Sequence, residues 1–429
     1  MAATLPDLCF EEIFSYFKYD YSTLFSCLLT NRVWCRNAVP YLWKCPFRKS
    51  LTTLNAYHLI RTYLSCLNNV ELSILNSHGL YINDKNAIFE YGRYAEELPF
   101  KYLNDAIRSW MKLKVDFWKY EKLLQPISTV ICHMLMRQEA NIKNVGIELD
   151  RENFPELGAF SEYQNCLSRV RNLELYMDRY CTFTRSQSFL GFLFQIATSC
   201  SNISRLIINS NNNSNFHSLS PDVIAGIILS QKNIEELSLN GIITPTIIYA
   251  LQRQVHSLKI LKFENVKFKG ISFTWLNRCK KLETIAFIRC NGMLLDSGLS
   301  YLTTNIKNLE ILDDKESFTS SSVIEVFHSI GENLMTLKLN IIDNNIMNVI
   351  SMCCLNLEFI DVEVPDEMYT VVRRWIETLP VKSFDLHSDD DDDKYIIDES
   401  EIGEADVNKI DESDEFEEFD GFDDKFDNE

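Results

Sequence analysis

Apolar residues in the second half of the chain recur in one short pattern, apolar-x-x-apolar-x-apolar, where x is any residue. The first apolar residues of successive occurrences are 33, 31, 24, 24, 27, 25, 23 and 24 positions apart. One such unit buries too little surface to fold alone, so the pattern predicts a stack of units that share one core. The nine occurrences are Val170-x-x-Leu173-x-Leu175, Ile203-x-x-Leu206-x-Ile208, Ile234-x-x-Leu237-x-Leu239, Leu258-x-x-Leu261-x-Phe263, Leu282-x-x-Ile285-x-Phe287, Leu309-x-x-Leu312, Leu334-x-x-Leu337-x-Leu339, Leu357-x-x-Ile360-x-Val362 and Val381-x-x-Phe384-x-Leu386.

A period in the twenties with this internal spacing is typical of leucine-rich repeats, so we predict an α/β solenoid, a horseshoe, over residues 166–387. The side chains at the x positions of each short strand should point to the concave side of the horseshoe. Their mixture of charged, small and apolar residues favours a protein-binding surface, with an ordinary solvated surface as the alternative. The substrate-binding candidates on this face are Arg205, Glu236, Ser238, Lys262, Thr284, Ile288, Lys338, Phe359 and Asp361.

Residues 48–165 are less regular. A helix is expected around Leu54 to Leu64 and another from Ile127 to Arg137. Two phrases resemble the repeat pattern, Leu67-x-x-Val70-x-Leu72 and Ile142-x-x-Val145-x-Ile147. We interpret this stretch as a linker with irregular N-terminal repeats, because terminal repeats cap a stack and are commonly atypical.

Residues 1–47 predict a separate unit of three short helices. Phe10, Ile13, Phe14 and Phe17 follow the i, i+3, i+4, i+7 spacing of an amphipathic helix. Leu24, Cys27 and Leu28 form a second apolar stripe, and a third segment runs from Asn31 towards Trp43. Three helices of this size bury little by themselves, so the unit is expected to need a partner or a neighbouring domain.

The net charge of −19 is concentrated at one end of the chain. Residues 388–429 contain 21 acidic and 3 basic side chains, whereas the preceding 387 residues are nearly neutral. High charge with few aliphatic residues predicts a disordered acidic tail. The tail also contains four phenylalanines, Phe416, Phe419, Phe422 and Phe426. Two roles of the tail therefore remain open, a solubilising terminus or a segment that folds onto a basic partner.

Few features of the sequence support an enzymatic function. The seven histidines lack metal-ligand spacing, and no metalloprotease, serine-hydrolase or phosphate-loop motif occurs. Cys200, Cys279 and Cys354 each precede a repeat's first apolar residue by three positions, which favours small apolar side chains packed between helix and strand. We therefore expect a non-enzyme with no cofactor and no metal site.

The N-terminal unit resembles an F-box. The resemblance lies in Leu5-Pro6-Asp7-Leu8, Ile13-Phe14-Ser15-Tyr16-Phe17, Leu24, Cys27-Leu28-Leu29 and Asn31-Arg32-Val33-Trp34-Cys35, with Leu42-Trp43 at its end. An F-box followed by leucine-rich repeats is the arrangement of the F-box/leucine-rich-repeat family. That resemblance implies a substrate-recognition subunit of an SCF-type cullin-RING ubiquitin ligase. It further implies an adaptor contact made by Leu5, Pro6, Ile13, Phe14, Leu24 and Trp34.

The runner-up hypothesis is a stand-alone leucine-rich-repeat scaffold whose acidic tail engages basic partners. It leaves the N-terminal helices without a role. Nucleic-acid binding is not expected, because a neutral body with an acidic tail offers no phosphate-binding surface. No membrane-spanning run or secretory signal is visible, so we expect an intracellular protein of the nucleus or cytoplasm.

Overall fold

The computed structural model describes residues 7–18, 20–49, 51–83, 87–114, 120–149, 154–156, 164–177, 187–210, 221–268, 270–291, 305–313 and 318–388. The acidic segment 389–429, for which disorder is predicted, lies outside these residues, as do Leu5 and Pro6 of the predicted adaptor contact.

The chain alternates helices and strands after an all-helical start. The helices are α1 (Asp7–Tyr16), α2 (Tyr21–Leu28), α3 (Arg32–Leu42), α4 (Thr53–Ser65), α5 (Asn69–Ser77), α6 (Phe100–Lys114), α7 (Tyr120–Arg137), α8 (Gln164–Leu167), α9 (Gln187–Ser199), α10 (Pro221–Ser230), α11 (Pro245–Gln252), α12 (Ser320–Ile330), α13 (Asn344–Cys353) and α14 (Asp366–Ile376). The strands are β1 (Glu97–Pro99), β2 (Asn144–Leu149), β3 (Asn172–Met177), β4 (Arg205–Ser210), β5 (Glu236–Asn240), β6 (Ile260–Glu264), β7 (Thr284–Ile288), β8 (Asn308–Leu312), β9 (Thr336–Leu339), β10 (Phe359–Val364) and β11 (Ser383–Ser388).

All eleven strands form one parallel sheet in chain order, β1 to β11. The register keeps the same repeat position side by side, as in Leu206↔Leu237 and Leu237↔Leu261. In strands β2 to β10, two residues of each strand therefore stack in two continuous apolar rows that the helices cover. Each new strand buries the apolar face of the one before it, which is how a stack of small units acquires a core. The predicted α/β solenoid is confirmed.

One repeat was placed in the wrong frame by the sequence pattern. Leu309-x-x-Leu312 was aligned with Leu309 as its first apolar residue, but β8 pairs with β7 as Ile285↔Leu309 and Ile288↔Leu312. The buried set is therefore Ile306, Leu309 and Ile311. Leu312 lies on the opposite face of the sheet from the core. The misplacement arose because Leu312 is also apolar, so the sequence fitted two frames.

The phrase Leu67-x-x-Val70-x-Leu72 was wrongly read as a repeat-like strand, since it enters helix α5. Asn68 caps this helix: its side chain accepts from the Glu71 backbone N–H at 2.9 Å, and Glu71 Oε2 accepts from the Asn68 N–H at 2.7 Å. This reciprocal capping fixes a helix start where the apolar spacing alone was ambiguous. The other phrase, Ile142-x-x-Val145-x-Ile147, does lead into strand β2.

The Glu71 carboxylate also ties α5 to α7. It is fully buried and accepts from His133 Nδ1 at 2.7 Å and from Arg137 Nε at 2.9 Å. Arg137 Nη2 donates to the Cys66 carbonyl at 3.0 Å as well. A buried carboxylate without such donors would cost several kcal/mol. This contact therefore holds the irregular N-terminal helices onto the solenoid.

Helices α1, α2 and α3, here called the headpiece, have a core of their own. Phe10, Phe14, Leu24, Cys27 and Ala38 form a buried cluster that is separate from the core of the rest of the chain, here called the trunk. Asp20 and Asn31 cap α2 and α3 by accepting backbone N–H groups with their side chains. The predicted three-helix unit is therefore present as a packed element.

The headpiece joins the trunk at the carboxyl end of α3. The Trp43 ring packs 4.4 Å from Tyr91 and 5.2 Å from Tyr63, measured between ring centroids. Lys44 Nζ lies 3.0 Å from Glu96, whose backbone N–H donates to the Lys44 carbonyl. The Arg48 guanidinium lies 3.2 Å from the centre of the Tyr21 ring. Aromatic packing, an ion pair and a cation–π contact together make this a stiff joint.

Charged residues pair along the start of the sheet in four pairs of neighbouring strands, one position before the strand begins. These pairs are Glu96–Lys143 at 2.9 Å, Glu235–Lys259 at 2.8 Å, Glu283–Lys307 at 3.1 Å and Glu358–Lys382 at 2.6 Å. Such exposed pairs each contribute little to stability. They nevertheless favour one register between neighbouring strands.

Two buried glutamines connect neighbouring repeats. Gln231 occupies the place at which Cys200 stands in the preceding repeat, and its Nε2 donates to the Cys200 carbonyl at 2.8 Å while its Oε1 accepts from the Ile203 N–H at 2.9 Å. Gln254 does the same one repeat later, with the Gln231 carbonyl at 2.9 Å and the Ile234 N–H at 3.2 Å. Each glutamine thus satisfies backbone groups that would otherwise be buried without partners.

Gln254→Ala should destabilise the trunk by about 2 kcal/mol, because a buried N–H and its facing carbonyls lose their partners. Urea unfolding would measure the loss, and amide exchange at Ile234 should accelerate. Gln252→Ala, the same substitution at a half-exposed position of the same helix end, is the control and should change stability by less than about 0.5 kcal/mol. Equal effects of the two substitutions would contradict the bridging role.

Candidate binding surfaces

The face of the sheet opposite the core carries three rows of side chains, one from each outward position of the strands. The register aligns Arg205 with Glu236, Ser238 with Lys262, and Lys338 with Asp361. Eight of the nine candidate residues are half-buried on this face, and Asp361 is buried at 9% exposure. The structure therefore brings all nine onto one surface, here called the concave face.

Three charged side chains form a bridge across neighbouring strands β3, β4 and β5. Arg205 Nη1 contacts Glu174, and Arg205 Nε lies 3.2 Å from Glu236 Oε2. Burial alone would lower the pKa of Arg205, but the two glutamates outweigh it and raise that pKa. Two carboxylates on one guanidinium leave this part of the face with an excess negative charge.

A second charged group lies towards the end of the sheet. Lys338 Nζ lies 3.1 Å from Asp361 Oδ2, and His387 Nε2 lies 3.5 Å from Asp361 Oδ1. Glu310 stands beside Lys338 in the register, and burial raises the pKa of its carboxyl although Lys338 and Lys262 act in the opposite direction. Because burial prevails over these two lysines, the ionised form of Glu310 is disfavoured here. An added cation from a partner would stabilise it.

Apolar side chains separate these two charged groups. Ile260, Ile288, Leu312 and Phe359 are half-buried on the concave face. Beside them, Arg289 Nη2 forms an ion pair with Glu264 Oε1 at 2.5 Å. A surface with apolar residues between opposed charges is typical of protein interfaces, in which apolar contacts supply affinity and charges fix orientation.

Glu174, Glu310 and Leu312 are among the residues of this surface that sequence reasoning missed. Glu174 occupies an outward position of the first regular repeat, so the pattern could have found it. Glu310 and Leu312 were hidden by the wrong frame of their repeat. With Ile306 as its first apolar residue, the same spacing assigns both to the concave face.

Two residues of the predicted adaptor contact are buried within the headpiece. Phe14 and Leu24 have no exposed surface, so in this conformation neither can touch a partner directly. They were assigned by resemblance, which does not separate residues that support a surface from residues that form it. Trp34 is half-buried and packs edge-on against Phe10 and Phe14, with ring centroids 5.8 and 5.6 Å apart.

Helix α1 has a second apolar face that points away from the headpiece core. Phe10, Phe14 and Phe17 face inward, whereas Cys9, Ile13 and Tyr16 follow the same i, i+4, i+7 spacing one position earlier. Cys9 is exposed, Ile13 is half-buried, and Tyr16 is 77% exposed. These three residues are here called the outer face of α1, and they include the predicted contact residue Ile13.

The three repeat cysteines pack as small apolar side chains. Cys200, Cys279 and Cys354 are buried, and burial raises the pKa of each thiol to about 12. Thiols held in the protonated form are poor nucleophiles and poor metal ligands. Across the described ranges, no three His, Cys, Asp or Glu side chains gather in a way that could hold a metal ion. In that same part of the chain no helix combines the length and apolarity that crossing a bilayer requires.

No known protein-family profile and no curated protein match this chain. Among solved structures it is similar to a chain in "Crystal structure of TLR13-ssRNA13 complex", with 10% sequence identity and a TM-score of 0.34. The similarity covers 58% of this chain, which spans only 39% of that one. A likeness this weak carries no argument about what the protein binds, so its function has to be inferred from the two surfaces above.

Proposed function

We propose that this chain is the substrate-recognition subunit of an SCF-type cullin-RING ubiquitin ligase. The headpiece is an F-box that docks on the SCF adaptor, and the leucine-rich-repeat trunk holds the protein to be ubiquitinated. One observation carries the proposal: α1 buries one apolar face in the headpiece core, whereas on the neighbouring face Cys9 and Tyr16 are exposed and Ile13 is half-buried.

The outer face of α1 fits docking into a groove of another protein. An amphipathic helix binds such a groove through anchors at i, i+4 and i+7, which is the spacing of Cys9, Ile13 and Tyr16. Ile13 is half-buried and is not among the side chains that pack on the headpiece core, so a partner would bury it further. Tyrosine is also a frequent energetic anchor at interfaces. Phe14 and Leu24 support this face from beneath.

The trunk suits the second role. Its concave face combines apolar side chains with opposed charges, and the stiff joint at Trp43 fixes the direction of the trunk relative to the headpiece. A recognition subunit performs no bond chemistry. It raises the effective concentration of a substrate lysine near the activated ubiquitin, and that gain is larger when the connection is rigid. The proposed activity therefore needs no cofactor.

Ile13→Ala combined with Tyr16→Ala should weaken binding of the purified chain to the SCF adaptor by at least about tenfold, because two anchors are removed. The thermal unfolding midpoint should stay within a few degrees, since neither side chain belongs to the headpiece core. Binding would be measured by calorimetry. Phe14→Ala should lose binding too, but together with headpiece folding.

A matched control removes two exposed apolar side chains from the trunk, Val70→Ala and Ile88→Ala, and should leave adaptor binding unchanged. If the intact chain binds no adaptor homologue, the stand-alone scaffold becomes the better hypothesis. If the Ile13 and Tyr16 variant binds as well as the natural sequence, α1 is not the docking helix.

Charge reversal on the concave face should separate substrate binding from adaptor binding. Lys262→Glu replaces a cation near Glu310, whose pKa is raised, with a further carboxylate, so a complementary substrate should be lost while adaptor affinity stays the same. The measurement is quantitative proteomics in cells that express each variant. Proteins depleted by the natural sequence should recover with Lys262→Glu and also with deletion of residues 1–47.

Lys232→Glu, an exposed lysine that precedes a strand rather than lying on the concave face, is the control and should deplete the same proteins as the natural sequence. Depletion that survives Lys262→Glu but not the deletion would move the substrate site to another surface. Depletion that survives both would contradict the ligase proposal.

A further inference from the structure

A thiol and an imidazole meet on the outside of the trunk, away from both surfaces described above. Cys353 is the last residue of α13, and its Sγ lies 3.4 Å from Nδ1 of His328 in the last turn of α12. Cys353 is half-buried and His328 is exposed, so a small molecule can reach the pair.

The packing around Gly331 holds this pair together. A Cβ at Gly331 would lie 3.0 Å from both the Cβ and the carbonyl oxygen of Cys353, closer than neighbouring atoms normally approach. Only glycine lets the end of α12 come this near to the end of α13. Asn356 Nδ2 adds a hydrogen bond of 2.7 Å to the Glu332 carbonyl across the same seam. The distance between the two functional groups is therefore set by backbone packing.

The adjacent residue, Cys354, is a cysteine that lacks this environment, and it serves as a comparison for Cys353. Cys354 is 2% exposed, and burial, with the Cys353 sulfur as a smaller cause, raises the pKa of its thiol to about 12. It has no imidazole partner and is closed to reagents. Two adjacent cysteines thus differ in both conditions that thiol reactivity requires, access and a base.

We infer that Cys353 is a reactive thiol, activated by His328, that forms mixed disulfides with low-molecular-weight disulfides. The Sγ–H proton moves to Nδ1 of His328, and the thiolate attacks one sulfur of the incoming disulfide. The disulfide's own S–S bond breaks, and the departing thiolate takes the proton from the imidazolium. The products are one mixed disulfide at Cys353 and one free thiol, so no further oxidant is needed.

The two helix ends act in opposite directions on this step. A helix carboxyl end favours a cation, which supports the imidazolium at the end of α12, and disfavours the thiolate at the end of α13. The direct hydrogen bond between imidazolium and thiolate is the stronger influence, because it joins two charged groups in contact, whereas dipole effects at exposed helix ends are screened. Proton transfer between Sγ and Nδ1 therefore remains the step on which the proposed reactivity depends.

The site lies on the helical side of the trunk, across the core from the concave face. A group attached to Cys353 would leave the concave face and the headpiece uncovered. The inference consequently does not depend on the proposed ligase function, and its failure would leave that proposal intact.

The test uses the full chain with glutathione disulfide at neutral pH, and peptide mapping by mass spectrometry follows each cysteine over time. Cys353 should acquire the adduct first, and Cys354 should stay free. His328→Gln should slow modification of Cys353 roughly tenfold, because the base is lost while a polar side chain is kept. The exposed Cys9 is not in contact with His328 and should react at the same rate in both proteins.

Thermal unfolding of His328→Gln and of His328→Asn checks that the fold is kept, which the exposed position favours. The inference is overturned if either folded variant modifies Cys353 as fast as the natural sequence. It is also overturned if Cys9 reacts as fast as Cys353, since access alone would then explain the adduct.

Discussion

The parallel register of the sheet is the constraint on which the rest of the structure depends. No repeat has enough apolar surface for a core, so each strand must place its two inward residues beside those of its neighbours. The same register decides what appears on the other side. Because Leu237 and Leu239 must face inward, Glu236 and Ser238 must face outward, and the concave face is a by-product of core formation.

The joint at Trp43 connects the headpiece and the trunk, which carry the two proposed binding surfaces, by direct side-chain contacts. A tryptophan packed between tyrosines of the trunk ends the last headpiece helix, and the ion pair of Lys44 with Glu96 reaches the first strand. The headpiece core nevertheless remains separate from the trunk core. This combination gives fixed orientation without hiding α1, whose outer face needs to be free if it is to dock.

Sequence periodicity predicted the solenoid because burial repeats with the chain, but it failed where a local interaction outweighed apolar spacing. The capping box of Asn68 and Glu71 starts a helix in a phrase that also reads as a strand. Leu312 made one repeat fit two frames. Resemblance named Ile13 and Phe14 together, although one faces outward and the other inward. The bridge of Arg205 to Glu174 and Glu236 could not be predicted from the sequence. It depends on the register between neighbouring strands, and the pattern within one repeat does not give that register when repeats differ in length.

The charge pairs at the strand starts have a consequence for how such a chain can lengthen or shorten. Glu235, Lys259, Glu283 and Lys307 alternate in sign along four successive repeats. Excising the unit that carries Lys259 would abut Glu235 and Glu283, two like charges on adjacent strands, which is unfavourable. Excising the units of Lys259 and Glu283 together would instead join Glu235 to Lys307. Adding or removing units in even numbers therefore keeps the alternation of charge, whereas an odd number places like charges on adjacent strands.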